Sequence, residues 1–239
     1  MLEDRIKVGD VEQLDRFHAV ELGCDVDSLR CPSVQFLPSD RRSRPGWGGY
    51  TVPVFALSTA KGGVVSCRPD MLGPPSRELR HAARDEPLAE ADFERLRRMA
   101  RRVVPFAYSL SGFVLYCDRA SFRPFGDLAE RLDPADNRGS TLRRRFDGEI
   151  FVVRGPRGEI ASWSAIKLKS DQVWEIAVVT EAAYRGRGYA RQAVSAATRH
   201  IIEQGRMALY VHDRTNHASA KVCRALGYVE YAETFFCEY

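Results

Sequence analysis

The sequence predicts an α/β protein of the α+β kind, in which a mixed and mostly antiparallel sheet is flanked by helices, and three observations predict it. Glu149 to Arg154, Ile160 to Lys167 and Val173 to Val179 are successive strand-like runs. Gly155-Pro156-Arg157-Gly158 and Lys169-Ser170-Asp171 separate them, so a three-strand antiparallel meander is the economical arrangement. From Gly188 to Gln204 the residues Ala190, Val194, Ala197 and Ile201 recur at helical spacing, and Gly205 stands where a helix C-terminus favours glycine. After that helix come a strand, Met207 to Val211, a helix from His217 to Leu226 between an Asn216 N-cap and Gly227, and an aromatic-rich final strand from Tyr228 to Tyr239.

The first half has a different texture. Up to about Arg102 it carries most of the turn punctuation, at Pro45-Gly46-Trp47-Gly48-Gly49, Lys61-Gly62-Gly63 and Leu72-Gly73-Pro74-Pro75. Tyr50 to Ser58 and Val64 to Arg68 are expected strands, joined as a hairpin at Lys61-Gly62-Gly63. Glu90 to Val103 is an expected helix, because Phe93, Leu96, Met99, Ala100 and Val103 recur at three- and four-residue steps among Arg and Glu. A strand from Gly112 to Asp118 and a helix around Phe125 to Leu132 should follow. The expected division is residues 1–105 as an accessory region and 106–239 as the chemical domain. Pro45 to Tyr50 could line a pocket or simply pack, and the basic run Asp40-Arg41-Arg42-Ser43-Arg44 reads as a solvated loop, against a contact with an acidic ligand or an RNA backbone.

Composition excludes several classes. Of 239 residues, 36 are basic and 32 acidic, a net charge of +4, which is far from the excess of a dedicated nucleic-acid binder. No window approaches the roughly 18 apolar residues of a membrane span, and Met1 to Arg16 lacks the apolar run of a secretory signal, so a cytoplasmic location is expected. Cys24, Cys31, Cys67, Cys117, Cys223 and Cys237 form no C-x-x-C pair and no zinc spacing, so reduced thiols and no metal are expected.

The informative segment runs from the strand Val173 to Val179 through Thr180 to Tyr184 into Arg185-Gly186-Arg187-Gly188-Tyr189-Ala190 and then a helix. Strand, tight turn and helix together make an anion site, because the first N–H groups of a helix point out of its N-terminus and its dipole adds roughly half a positive charge there. Gly186 and Gly188 let the backbone approach a phosphate, and Arg185 and Arg187 add charge. A Rossmann dinucleotide turn would need a small residue where Arg191 stands. A P-loop would need Gly-Lys-Ser/Thr, which is missing.

Arg185 to Ala190 resembles the Q/R-x-x-G-x-G/A signature of the GNAT superfamily of N-acetyltransferases. Asn216-x-x-Ser219-x-x-Val222-x-x-x-Leu226-Gly227-Tyr228 resembles that family's N-x-x-A-x-x-L-Y-x-x-x-G-F segment, in the right order and on the right elements. The resemblance spans roughly Phe106 to Tyr239 and is nearest in flavour to the FR47-like branch, in which the chain ends soon after the Gly-Phe/Tyr pair. It implies acetyl-CoA as co-substrate, with the backbone of Ala177, Val178 and Val179 pairing with the pantetheine arm. The N–H groups from Gly186 to Ala190, Tyr189 among them, would hold the pyrophosphate, and Asn216 and Ser219 would line the far side of the groove. A primary amine of a small molecule or peptide would attack the thioester directly, near a strand amide at Val178 that stabilises the oxyanion.

Such chemistry needs a base and an acid. Glu175, just before the cofactor-contacting residues, is the candidate base, against a carboxylate merely satisfied by a neighbouring cation. His212 is the second candidate. Where many relatives carry tyrosine after the residue that Val222 matches, this chain has Cys223. That leaves Cys223 as acid, another group such as Tyr184, Tyr189 or water, or a CoA-binding module without efficient turnover. Another acyl-CoA or an aminoacyl-tRNA is the alternative donor. After Gly227-Tyr228 only one strand remains, so the N-terminal half or a second subunit in a homodimer is expected to cover that edge. Residues 1–105 either shape the acceptor site or are a degenerate relative of the same fold.

Overall fold

The alternating runs of the second half fold as the expected meander, seen in a computed structural model that describes residues 8–72, 88–105 and 108–239. The Gly73-Pro74-Pro75 turn signal, the start of the N-terminal segment and the expected boundary at Phe106 lie outside the described residues. The chain divides into two compact units, one holding Leu115–Val211 with Asn216–Glu230, the other the described part of Lys7–Val114 with His212–Thr215 and Tyr231–Tyr239.

In the first of these, β5 (Glu130–Arg131), β6 (Ile150–Arg154), β7 (Ile160–Leu168), β8 (Val173–Thr180) and β9 (Met207–Asp213, through Val211) lie in the order β9-β8-β7-β6-β5. The strands β5 to β8 pair antiparallel, and β8 and β9 pair in parallel. That parallel pair requires a crossover, which the expected long helix (Tyr189–Glu203) supplies. It buries Ala197 together with Val194, Ile201 and Ile202, the last three each worth roughly 1.5–3 kcal/mol when removed from water, and ends at Gly205 with φ 70°.

The helix expected around Phe125 to Leu132 is not formed. Gly126 takes φ 62°, outside the helical region, and the segment is tied instead to the long helix: the Phe125 N–H donates to Ser195 Oγ at 2.8 Å and the Leu128 N–H to Gln192 Oε1 at 3.2 Å. Glu130–Arg131 then pairs with β6, and a six-residue helix forms later, at Ser140–Arg145.

In the other unit the element order is α1 (Val8–Leu22), α2 (Val26–Arg30), β1 (Val34–Pro38), β2 (Val54–Thr59), β3 (Gly63–Cys67), α3 (Glu90–Val103), β4 (Tyr108–Cys117, through Val114) and the greater part of β10 (Val229–Glu238). With these labels, Ser140–Arg145 is α4, Tyr189–Glu203 is α5 and His217–Ala225 is α6. The β2–β3 hairpin forms as expected, and Gly62 is required in it: a Cβ there would lie 1.8 Å from the Cys31 carbonyl oxygen. The helix at Glu90–Val103 has the expected bounds. Its Phe93, Leu96, Met99 and Ala100 pack on Val54, Ala56, Val65 and Phe235, and acidic first-turn and basic last-turn residues suit its dipole. The expected cover for the final strand is β2, antiparallel to β10 with Phe235 opposite Ala56. Among the described residues no helix is long and apolar enough to cross a membrane, and all six cysteines are free.

Candidate functional site

The site is built where β8 runs into α5. The β8–β9 ladder ends at the pair Ile176↔Tyr210, whereas β8 stays paired to β7 as far as Ser162↔Thr180. The β9-facing backbone groups of Ala177, Val178 and Val179 therefore fall beyond the ladder, at a parting of two parallel strands. A further observation is that Ser162 Oγ donates to the Val179 carbonyl at 3.1 Å.

Beyond β8 the chain makes a short 3₁₀ turn (Ala182–Tyr184) and enters α5 through Arg185 to Gly188. Gly186 and Gly188 take φ 77° and 78°, so glycine is needed for conformation, and an added Cβ at Gly186 would meet nothing within 4 Å. The open space above the turn is what a bulky anion requires. Gly188 caps α5 without a side-chain hydrogen bond. The Gln192 N–H bonds back to the Gly188 carbonyl at 3.1 Å, which leaves the N–H groups of Tyr189 and Ala190 in the first turn, without helical partners, directed outward. Arg185 and Arg187 are both exposed; Arg185 Nε donates to the Thr180 carbonyl at 3.3 Å, and the Arg187 guanidinium lies 5.5 Å from the Tyr184 ring centroid.

Sequence reasoning missed what braces this turn. Tyr184 stacks on Tyr189 with centroids 6.1 Å apart, and its hydroxyl donates to the Glu159 carboxylate from the β6–β7 hairpin. The Arg157 N–H donates to the other Glu159 oxygen at 2.9 Å. The Tyr184 hydrogen bond holds the Glu159 carboxyl below its ordinary pKa, and the same bond raises the phenol. Twenty-five residues separate the partners, so no local motif could announce the pair.

Glu175 faces away from α5, directly opposite Lys167 in the β7–β8 register. Its side chain is 14% exposed, with Lys167 Nζ donating to it at 2.6 Å and Lys169 Nζ forming an ion pair at 3.6 Å. Burial alone would raise its pKa; the two ammonium groups outweigh burial and hold the carboxyl below the ordinary range. The carboxylate is thus ionised and satisfied.

On α6 the Asn216 side-chain oxygen accepts the Ser219 N–H at 3.1 Å, the expected cap. Ser219 Oγ lies 2.8 Å from the hydroxyl of buried Tyr210, whose phenol burial raises. Cys223 is fully buried; its thiol donates to the Ala220 carbonyl at 3.3 Å and burial pushes it up to about 11. His212 belongs to the other unit. It is 4% exposed, with Nδ1 2.9 Å from the Asp213 carbonyl oxygen and its ring 5.5 Å from Phe113. Glu175, the turn, Asn216, Ser219 and Cys223 all lie in the first unit.

Residues 86–229, more than half of the chain, match the acetyltransferase (GNAT) domain, so the chain belongs to the GNAT acetyltransferase family. Among solved structures it is similar to a GNAT-family protein from Novosphingobium aromaticivorans (17% identity, 56% of this chain and 66% of that one, TM-score 0.47). It is also similar to a GCN5-related N-acetyltransferase from Kribbella flavida (18%, 60% and 63%, 0.45). A third is a GCN5-related N-acetyltransferase-like protein from Streptococcus suis (14%, 77% and 83%, 0.48). The chain spans slightly under two thirds of the length of the first two. No curated protein sequence matches it.

Proposed function

We propose that this GNAT-family acyltransferase moves an acetyl group from acetyl-CoA to a primary amine of a small molecule or peptide, by direct attack and without a covalent enzyme intermediate. The carrying observation is the conjunction of the Gly186–Gly188 turn at the start of α5 with the parting of β8 and β9 after Ile176. In this reading the N–H groups from Gly186 to Ala190 and the arginines at 185 and 187 bind the pyrophosphate, and Ala177, Val178 and Val179 hold the pantetheine arm. The Val178 amide receives the oxyanion, and Asn216 and Ser219 close the groove. Residues 1–105 are the accessory part and 106–239 the chemical one, in a protein of the cytoplasm.

Glu175, kept ionised by Lys167 and Lys169 and for that reason a weak base, is assigned the ammonium proton, taken through water. The amine nitrogen forms its bond to the carbonyl carbon, the C–S bond breaks, and CoA leaves as thiolate. A thiol raised to about 11 is a weak donor, so Cys223 is assigned to packing. Ser219, oriented by Tyr210, is assigned the hydrogen bond to the departing sulfur, and solvent supplies its proton. The same burial of Cys223 favours a second reading, a CoA-binding module with little turnover. Calorimetric titration with acetyl-CoA and with NADH tests the donor. Binding of acetyl-CoA alone is expected, and a folded protein that ignores acetyl-CoA would send the search to other acyl donors, aminoacyl-tRNA included. Thiol release across an amine panel separates catalyst from module.

A further inference from the structure

The side-chain alternation of β7 and β8 sorts their residues cleanly. Phe151 and Trp174 meet α5 through His200, with ring centroids 5.6 and 6.4 Å away, and Phe151, Ser164 and Val178 share a register row. The opposite face therefore carries three rungs: Trp163 with Val179, Ala165 with Ala177, and Lys167 with Glu175. Ala165 is fully buried, whereas Val179 is 43% exposed and Trp163 is half-buried, so the accessible end of this face is the Trp163–Val179 rung. Val179 is also the last of the three residues assigned to the pantetheine arm, which puts that rung beside the donor.

What stands over the rung is chemically specific. The Phe146 ring lies 5.4 Å from that of Trp163, tilted by 54°, and the Arg145 guanidinium lies 5.4 Å from the Phe146 centroid. Arg131 and Arg154 nearby in sequence are bridged to Glu149 and to Glu130 and Asp136. Arg145 is exposed, and among the described residues no carboxylate pairs with it. An aromatic wall and a planar cation set side by side suit a ligand that has both a flat apolar body and an anionic group.

We propose that the acceptor is an amine joined to an aromatic ring and a carboxylate, as in an aromatic α-amino acid, with the ring against Trp163 and the carboxylate on Arg145. The assignment rests on the acetyl-transfer reading for its chemistry, but its recognition elements can be tested by binding alone. Three probes separate the elements: L-phenylalanine, phenethylamine without the carboxylate, and L-alanine without the ring. Each is titrated calorimetrically into the CoA-saturated full chain and assayed for acetylation, for wild type, Arg145→Gln and Trp163→Leu.

Wild type should prefer L-phenylalanine by about 10-fold over each of the other two. Arg145→Gln, an exposed position whose change should keep the fold, should abolish the preference over phenethylamine, with KM raised and kcat within about 2-fold. Trp163→Leu should abolish the preference over L-alanine. Equal treatment of the three probes by wild type, or a carboxylate preference that survives Arg145→Gln, overturns the proposal. The expected binding pattern without release of CoA thiol would sustain it and sink acetyl transfer; indiscriminate acetylation would do the reverse.

Discussion

At the turn proposed to hold the pyrophosphate, the groups offered to a ligand are backbone N–H groups, shaped by two glycines at positive φ. Around Glu175 and Ser219 they are side chains whose state is set by neighbours on other strands. The first region is a property of a short contiguous stretch. The second is a property of register, and it changes character when one partner changes. A carboxylate opposite a lysine is a different reagent from the same carboxylate opposite an alanine.

The sharpest way to break the contrast is at Gly188. Gly188→Glu should weaken acetyl-CoA binding by at least about 100-fold, or 2.7 kcal/mol, and Gly188→Ala by only about 10-fold through its strained φ. If calorimetry gave equal losses, charge at the turn would be irrelevant. Next in size is Lys167→Met, which leaves Glu175 facing one more distant cation and should cost about 2 kcal/mol in chemical denaturation at neutral pH. Adding Glu175→Gln should recover most of that cost. Because the folded Glu175 carboxyl is depressed, its contribution is complete above the ordinary carboxylate pKa. It disappears as pH falls through the folded value. An acid transition that moves to higher pH in Lys167→Met would show this.

Smaller effects sharpen the comparison. Tyr184→Phe and Glu159→Gln should each raise the KM for acetyl-CoA by about 3–5-fold with kcat unchanged, since they loosen a brace outside the chemistry. Smallest of all, Cys223→Ser should leave the kcat–pH profile between about pH 6 and 9 within about 2-fold, because a thiol raised to about 11 keeps its proton throughout that range. A lost basic limb in that variant would restore Cys223 as an acid.

What could be read from the sequence follows the same division. The meander, the turn, α5, the cap at Asn216 and the bounds of α3 all leave local traces: periodic apolar residues, glycine at positive φ, a capping side chain. The helix expected near Phe125 failed because Ser195 and Gln192, some seventy and sixty-four residues on, capture its backbone N–H groups. The helix at Val8–Leu22 was hidden because its buried Leu14, Ala19 and Leu22 are diluted among charges. Glu159 under Tyr184 joins residues 25 apart with no local motif between them, whereas Tyr210 behind Ser219 and the two lysines on Glu175 are near in sequence and depend on the strand register and strand–helix packing that sequence leaves open.

The pairing of β2 with β10 bears on how the chain comes into being. Thr234 Oγ1 donates to the Ala56 carbonyl across 178 residues of sequence. During vectorial synthesis the free edge of that hairpin must wait for its partner until some 178 further residues have left the ribosome. At typical elongation rates of about 5–20 residues per second, this is on the order of ten seconds or more. Until then the hairpin presents an unpaired strand edge, and a ribosome that stalls before β10 releases an edge ready to pair with its neighbours.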